Sequence, residues 1–166
     1  MIDLSEKAVF ETTMGDFEFE YYRDKAPKTV EAIVDYVKEG FYNNTLIHRV
    51  VKGFVVQAGI YDLEMNKKEI KGTLPIESSN GLQNKREYIA MARMKDPDSA
   101  EASWFVNLVN NDRLNYTEEN LGYTVFGKVV SGMEIFDKIA EVEVEIVGKY
   151  GRRPLEKIVV KKAYMK

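Results

Sequence analysis

A histidine and an arginine stand side by side, His48-Arg49, inside FYNNTLIHRVVKGFVVQAG, residues 41–59. Around them run Leu46, Ile47, Val50, Val51, Phe54, Val55 and Val56. His48 is the only histidine of the chain, so a Ser-His-Asp relay would have to use it as base, and no GxSxG turn presents a serine. A zinc site needs more nitrogen or sulfur ligands than one histidine supplies, so no metal is expected. Gly53, Gly59, Gly72 and Gly81 are too scattered for a phosphate-binding loop. Acid pairs such as Glu18 and Glu20 suit a solvated strand face better than a catalytic dyad. What remains is a guanidinium in an apolar stretch. Arginine keeps its proton where water is limited, which makes it a permanent donor. The bland reading makes Arg49 a surface residue whose stem lies on apolar neighbours. His48 taken alone reads as a hydrogen-bonded structural histidine, and Gln57 as an edge polar residue.

The elements that must position these groups are short. Phe10 to Thr13, Met14-Gly15-Asp16 and Phe17 to Tyr21 read as a β-hairpin whose second arm alternates aromatic and acidic residues. Pro27 can open a helix, Val30, Ile33, Val34 and Val37 share one helical face, and Gly40 stops it. Strands are predicted over Leu46 to Val50, Phe54 to Ala58, Tyr88 to Arg93, Trp104 to Leu108, Tyr123 to Val129 and Lys157 to Tyr164. Alternation puts Leu46 and His48 on one side of their strand, Ile47 and Arg49 on the other. Ser131-Gly132-Met133-Glu134 matches a capping box and starts a second helix through Ile135, Phe136 and Ile139. Glu141 to Val147 alternates acid and aliphatic and passes for another strand. The basic stretch from Gly148 reads as a solvated strand face. Many short strands with two helices predict an all-β fold, a closed barrel.

Composition narrows the function. The chain has 166 residues, 45% hydrophobic, with a net charge of −3, which suits one globular domain and gives no electrostatic case for nucleic acid. No run of about 20 apolar residues offers a membrane span. The start MIDLSEKAVF lacks the basic and apolar regions of a signal peptide, so a cytoplasmic location is expected. No cysteine is present, which excludes disulfides and thiol nucleophiles.

FYNNTLIHRVVKGFVVQAG closely resembles the signature of cyclophilins, the peptidyl-prolyl cis-trans isomerases. APKTVEAIVDYVKEGFY is similar to the family's first helix and its exit. IAMARMKDPDSAEASWFVN resembles the central strand, loop and strand of bacterial members. LGYTVFGKVVSGMEIFDKIA is similar to the later strand and second helix. The resemblance runs over nearly the whole chain. It implies one isomerase domain over 1–166, a closed eight-stranded antiparallel barrel with a helix capping each end, and a 141–147 segment that is mainly loop. It implies that Arg49 is the catalytic arginine and that Gln57 bonds the substrate backbone. Phe54 falls on the floor of the proline pocket, with Val55, Phe105 and Leu114 as walls. Ala92 and Arg93 fall beside the peptide, Ser103 stands where a second glutamine is usual, and Tyr123 replaces a histidine on the rim. His48 and Ile47 fall beside the site as structural residues, Ile47 in place of a common phenylalanine.

The resemblance further implies as partners proline-containing peptides and unfolded or folding proteins; rotation about an amide needs no cofactor, and nothing in the sequence suggests an obligate oligomer, so a monomer is expected. Cyclosporin A, an inhibitor of many cyclophilins, is expected to bind weakly, because Arg113 stands near a tryptophan of sensitive members. Ser103 and Arg113 keep open a second reading, a binding module that holds proline segments without useful turnover.

Overall fold

The computed structural model describes residues 5–166, so the first four residues of the leaderless-start reading lie outside the described residues. Two strands, β1 (Glu6–Thr12) and β2 (Gly15–Tyr21), form the expected hairpin. The helix α1 (Pro27–Lys38) follows, then β3 (Thr45–Val51), β4 (Val55–Asp62), β5 (Tyr88–Met91) and β6 (Trp104–Asn107). After a short 3-10 turn over Asp112–Leu114 come β7 (Val125–Ser131), α2 (Met133–Ile139), β8 (Val144–Val147), β9 (Gly151–Pro154) and β10 (Val159–Met165). Eight strands close in the order β1-β10-β3-β4-β6-β5-β7-β2, every pairing antiparallel.

Alternation along the strands builds two apolar clusters. Inward residues such as Val56, Ala58, Ile89, Trp104 and Val106 join Phe10, Phe17 and Phe19 in the barrel core. Both helices feed this core, α1 through Val30 and Ile33, α2 through Phe136 and Ile139. Trp104 is 1% exposed, and its ring stands edge-on to Phe10 and Phe19 at 5.5 and 5.0 Å between centroids. Outward residues of the same strands, Val55, Ala90, Phe105 and Val125, form a second cluster on the barrel's outer wall.

Two predicted local signals fail. Ser131 does not cap α2: it ends β7 opposite Glu18, and left-handed Gly132 (φ 88°) is the cap residue, with no side-chain cap bond. A Cβ at Gly132 would come within 2.5 Å of the Asp16 carbonyl oxygen, so the turn requires glycine. The 141–147 segment is neither all strand nor all loop: Val144–Val147 pairs with Gly151–Pro154 in a two-stranded ribbon outside the barrel.

Ala26 offers α1 no side-chain cap. The Glu77 carboxylate serves instead, accepting from the Thr29 N–H and hydroxyl, both at 2.8 Å, and more weakly from the Lys28 N–H at 3.3 Å. Removing a helix cap costs about 0.5–2 kcal/mol. Glu77→Ala is therefore expected to lower the free energy of unfolding in urea by that amount. An unchanged midpoint would mean that water satisfies the first turn equally well.

Candidate active site

Ile47 pairs with Ala58, but Arg49 pairs with Gln57, so β3 advances two residues where β4 advances one. This extra residue is a β-bulge, a device that re-aims side chains near functional sites. Ile47 and Val50, three apart, both lie in the barrel core. Arg49 is turned out beside Gln57, which corrects the alternation that placed it on the side of Ile47.

The outer wall of β4 and β6 then becomes the floor of a cavity of about 630 Å³. It brings together Arg49, Phe54, Val55, Gln57, Ala92 and Arg93, and also Phe105, Leu114 and Tyr123, nine of the twelve expected site residues. Ile47 belongs to the core, as its 1% exposure requires. Ser103 stands behind Gln57: its buried hydroxyl donates to the Ala58 carbonyl at 2.8 Å and accepts from Gln57 Nε2 at 3.4 Å. Ser103, His48 and Gln57 also line a smaller neighbouring cavity.

Arg49 is held from two sides. Its Nε donates to the Tyr150 carbonyl at 3.0 Å, and one Nη donates to Gln57 Oε1 at 3.3 Å. Its Cζ lies 5.9 Å from the Phe54 ring centroid. Partial burial draws its pKa below the usual arginine value; Tyr123 opposes this and the like charge of Arg152 adds to it. An arginine starts so high that it stays charged. Phe105 and Tyr123 meet edge-on at 5.6 Å, and Arg93 lies 4.8 Å from the Tyr123 ring.

The apolar walls are anchored by buried asparagines that the sequence reading missed. Asn111 Nδ2 donates to the Phe54 carbonyl at 3.1 Å and to Asn107 Oδ1 at 2.8 Å. Asn107 Nδ2 donates to Asn84 Oδ1 at 3.1 Å, and Asn84 Nδ2 donates to the Leu114 carbonyl at 2.9 Å. Floor and wall are thus tied through one satisfied polar network. Met94, Lys95 and Tyr150 complete the lining and were also missed. Tyr150 comes from the β8–β9 turn, about a hundred positions after Arg49, and no local pattern announces its arrival.

The family model for cyclophilin type peptidyl-prolyl cis-trans isomerase/CLD matches residues 7–165. Peptidyl-prolyl cis-trans isomerase B of Escherichia coli (strain K12) is 44% identical over 154 residues, 91% of this chain and 94% of its own length. Peptidyl-prolyl cis-trans isomerase A of Dickeya dadantii (strain 3937) is 43% identical over 152 residues, 92% of this chain and 80% of its own. A crystal structure of a cyclophilin type peptidyl-prolyl cis-trans isomerase from Cryptosporidium parvum superposes with a TM-score of 0.79 at 21% identity, over 98% of both chains. A crystal structure of the same protein in the presence of the dipeptide Ala-Pro gives 0.78, again at 21% identity, over 96% of this chain and 98% of that one. The chain belongs to the cyclophilin-type peptidyl-prolyl cis-trans isomerases, enzymes that rotate Xaa-Pro peptide bonds.

His48 sits behind the site, edge-on to Tyr61 at 4.7 Å. Its Nδ1 is buried with no hydrogen-bond partner among the described residues. Burial, with the charge of Arg49, pushes its pKa down from 6.5 to about 4. Between those values the unfolded chain holds the extra proton. Stability from His48 is therefore full above about pH 6.5 and declines as pH falls towards about 4, with a slope of at most about 1.4 kcal/mol per unit. The stability difference between wild type and His48→Gln, measured by urea unfolding, should shrink over that window. Parallel curves would place a freely titrating imidazole in the folded state.

Proposed function

We propose that residues 1–166 work as one isomerase domain in which Arg49, Phe54 and Gln57 carry the reaction. The observation that supports this most is the tethered Arg49 guanidinium. Its Nε and one Nη are bonded to Tyr150 and Gln57, and its other Nη has no protein partner among the described residues. A charged donor is thereby fixed at the rim of an apolar cup.

The uncatalysed rotation takes tens to hundreds of seconds, over a barrier of about 20 kcal/mol set by amide resonance. In the twisted transition state the resonance is lost and the proline nitrogen regains a lone pair. No bond breaks and no proton must leave, so the residues need only grip, orient and donate. Phe54, Val55, Phe105 and Leu114 hold the proline ring, and Arg49 donates towards the prolyl nitrogen. Gln57, braced by Ser103, bonds the substrate backbone, while Ala92 and Arg93 flank the peptide and Tyr123 forms the rim. A donor in a preorganised site is worth about 3–4 kcal/mol. An acceleration of about 10⁵ needs roughly 7 kcal/mol, so the cup and the backbone contacts supply about half. Proline-containing segments of folding proteins in the cytoplasm are the substrates this reading favours. No helix among the described residues is long and apolar enough to cross a membrane.

Arg49→Ala is expected to lower kcat/KM at least about 100-fold with the circular dichroism unchanged. Arg49→Lys should recover little, because an ammonium lacks the planar fork that Tyr150 and Gln57 grip. Near wild-type turnover in the alanine variant would remove Arg49 from the mechanism.

Weak cyclosporin A binding follows from the same cavity. Arg113 is exposed on the 3-10 turn and does not line the cavity, and Trp104 is committed to the core. Neither offers the flat apolar wall that an apolar macrocycle needs. Inhibition of wild type should therefore be poor and should strengthen in Arg113→Trp. Nanomolar inhibition of the wild type would mean that other residues build that wall.

A further inference from the structure

The cavity is lined by three cations, Arg49, Arg93 and Lys95, and by no aspartate or glutamate, in a chain whose net charge is −3. Two more cations, Lys149 and Arg152, flank Tyr150 on the ribbon that forms one rim. Some cations elsewhere are paired with carboxylates, among them Arg23 with Glu6, Lys67 with Glu101 and Arg86 with Asp137. On the ribbon itself, Arg153 pairs with Glu145, while its neighbour Arg152 donates to a backbone carbonyl, that of Gly151, at 2.9 Å. None of the five makes an ion pair among the described residues. Arg93 is fixed by the Gly122 and Met94 carbonyls at 2.8–3.0 Å, as Arg49 is fixed by Tyr150. Lys149 lies 5.3 Å from the Tyr150 ring. The acids nearest to Lys95 in the chain, Asp96 and Asp98, accept from the Asp98 N–H and the Ile76 N–H, both at 2.9 Å; they keep their charge, but neither lines the cavity.

A carbonyl fixes a guanidinium without cancelling its charge, whereas a carboxylate does both. Isolated surface lysines would mean little, since solvated charges are ordinary. Here the uncancelled charges gather at one cleft from β3, from the segment after β5 and from the ribbon, and a cleft of one sign with apolar walls focuses its field on incoming ligands. We propose that this site prefers acidic peptides, substrates with aspartate or glutamate beside the proline. The inference rests on the reading of the cavity as the site of proline isomerisation, and it adds the substrate class.

The test uses the whole chain and the peptides Ala-Xaa-Pro-Phe with glutamate, glutamine or lysine as Xaa, with isomerisation followed by exchange NMR. In about 0.01 M salt kcat/KM should fall in the order Glu, Gln, Lys, with about tenfold between the first and last. In about 1 M salt, where the screening length drops to about 3 Å, the ratio should approach one. The double variant Lys149→Glu, Arg152→Glu should lose or reverse the order, and its rate on the glutamine peptide reports whether the site still works. Equal rates on all three peptides at low salt, with the glutamine peptide turned over well, would overturn the acidic preference and leave the isomerase site standing. A preference unmoved by the double variant would overturn the role of the ribbon. Absence of turnover on every peptide would count against the catalytic reading of Arg49. The dissociation constants from NMR shifts would then decide the preference: tighter binding of the glutamate than of the lysine peptide supports it, equal binding overturns it.

Discussion

One extra residue in β3 governs the site. Without it, Arg49 would follow Ile47 into an aromatic core, where an unpaired guanidinium is prohibitively costly to dehydrate. With it, Ile47 and Val50 both stay inside and Arg49 leaves through the wall. The same ladder then sets Gln57 opposite Arg49 and leaves Val55 and Phe105 on the outer face. The cavity is thus built on the outside of the barrel, because the inside is occupied by side chains. The closed sheet gives that outer face its rigidity, and the Asn84-Asn107-Asn111 network carries the rigidity to Phe54 and Leu114, which lie off the strands.

The chemistry explains why so little else is needed. A rotation about an amide requires no base, and the only imidazole nearby is kept neutral by burial. The charged group that matters is held by acceptors of modest strength, a carbonyl and an amide oxygen. Those partners, both uncharged, hold the guanidinium without cancelling its charge.

The barrel was largely legible because strand and helix signals are local. Pro27, Val30, Ile33 and Gly40 announce α1, and Trp104 to Val106 alternates across β6 as the sequence says it should. The cavity lining was legible through a dense motif, and nine of the twelve expected site residues converge on it. What stayed hidden depends on long-range geometry. A bulge is a count of residues on two strands, not a property of one. The α1 cap comes from Glu77, 48 positions away from Thr29. The ribbon β8–β9 shows a strand period in Val144–Val147, but a β9 containing Gly, Arg, Arg and Pro carries no such period, and only pairing defines it. Ser131 and Glu134 satisfied the letter of a capping box while Ser131 was already committed to the sheet.

Trp104 is the sole tryptophan, and its indole N–H is buried without a partner among the described residues, in the aromatic interior behind the wall that carries Phe105. Its light emission therefore reports the integrity of the barrel and is insulated from peptide in the cleft. The cleft's own aromatic residues, Phe54, Phe105, Tyr123 and Tyr150, contribute no indole signal. A single optical probe is thus assigned by the fold to unfolding alone, so the melting of this protein can be followed in saturating substrate without interference from occupancy.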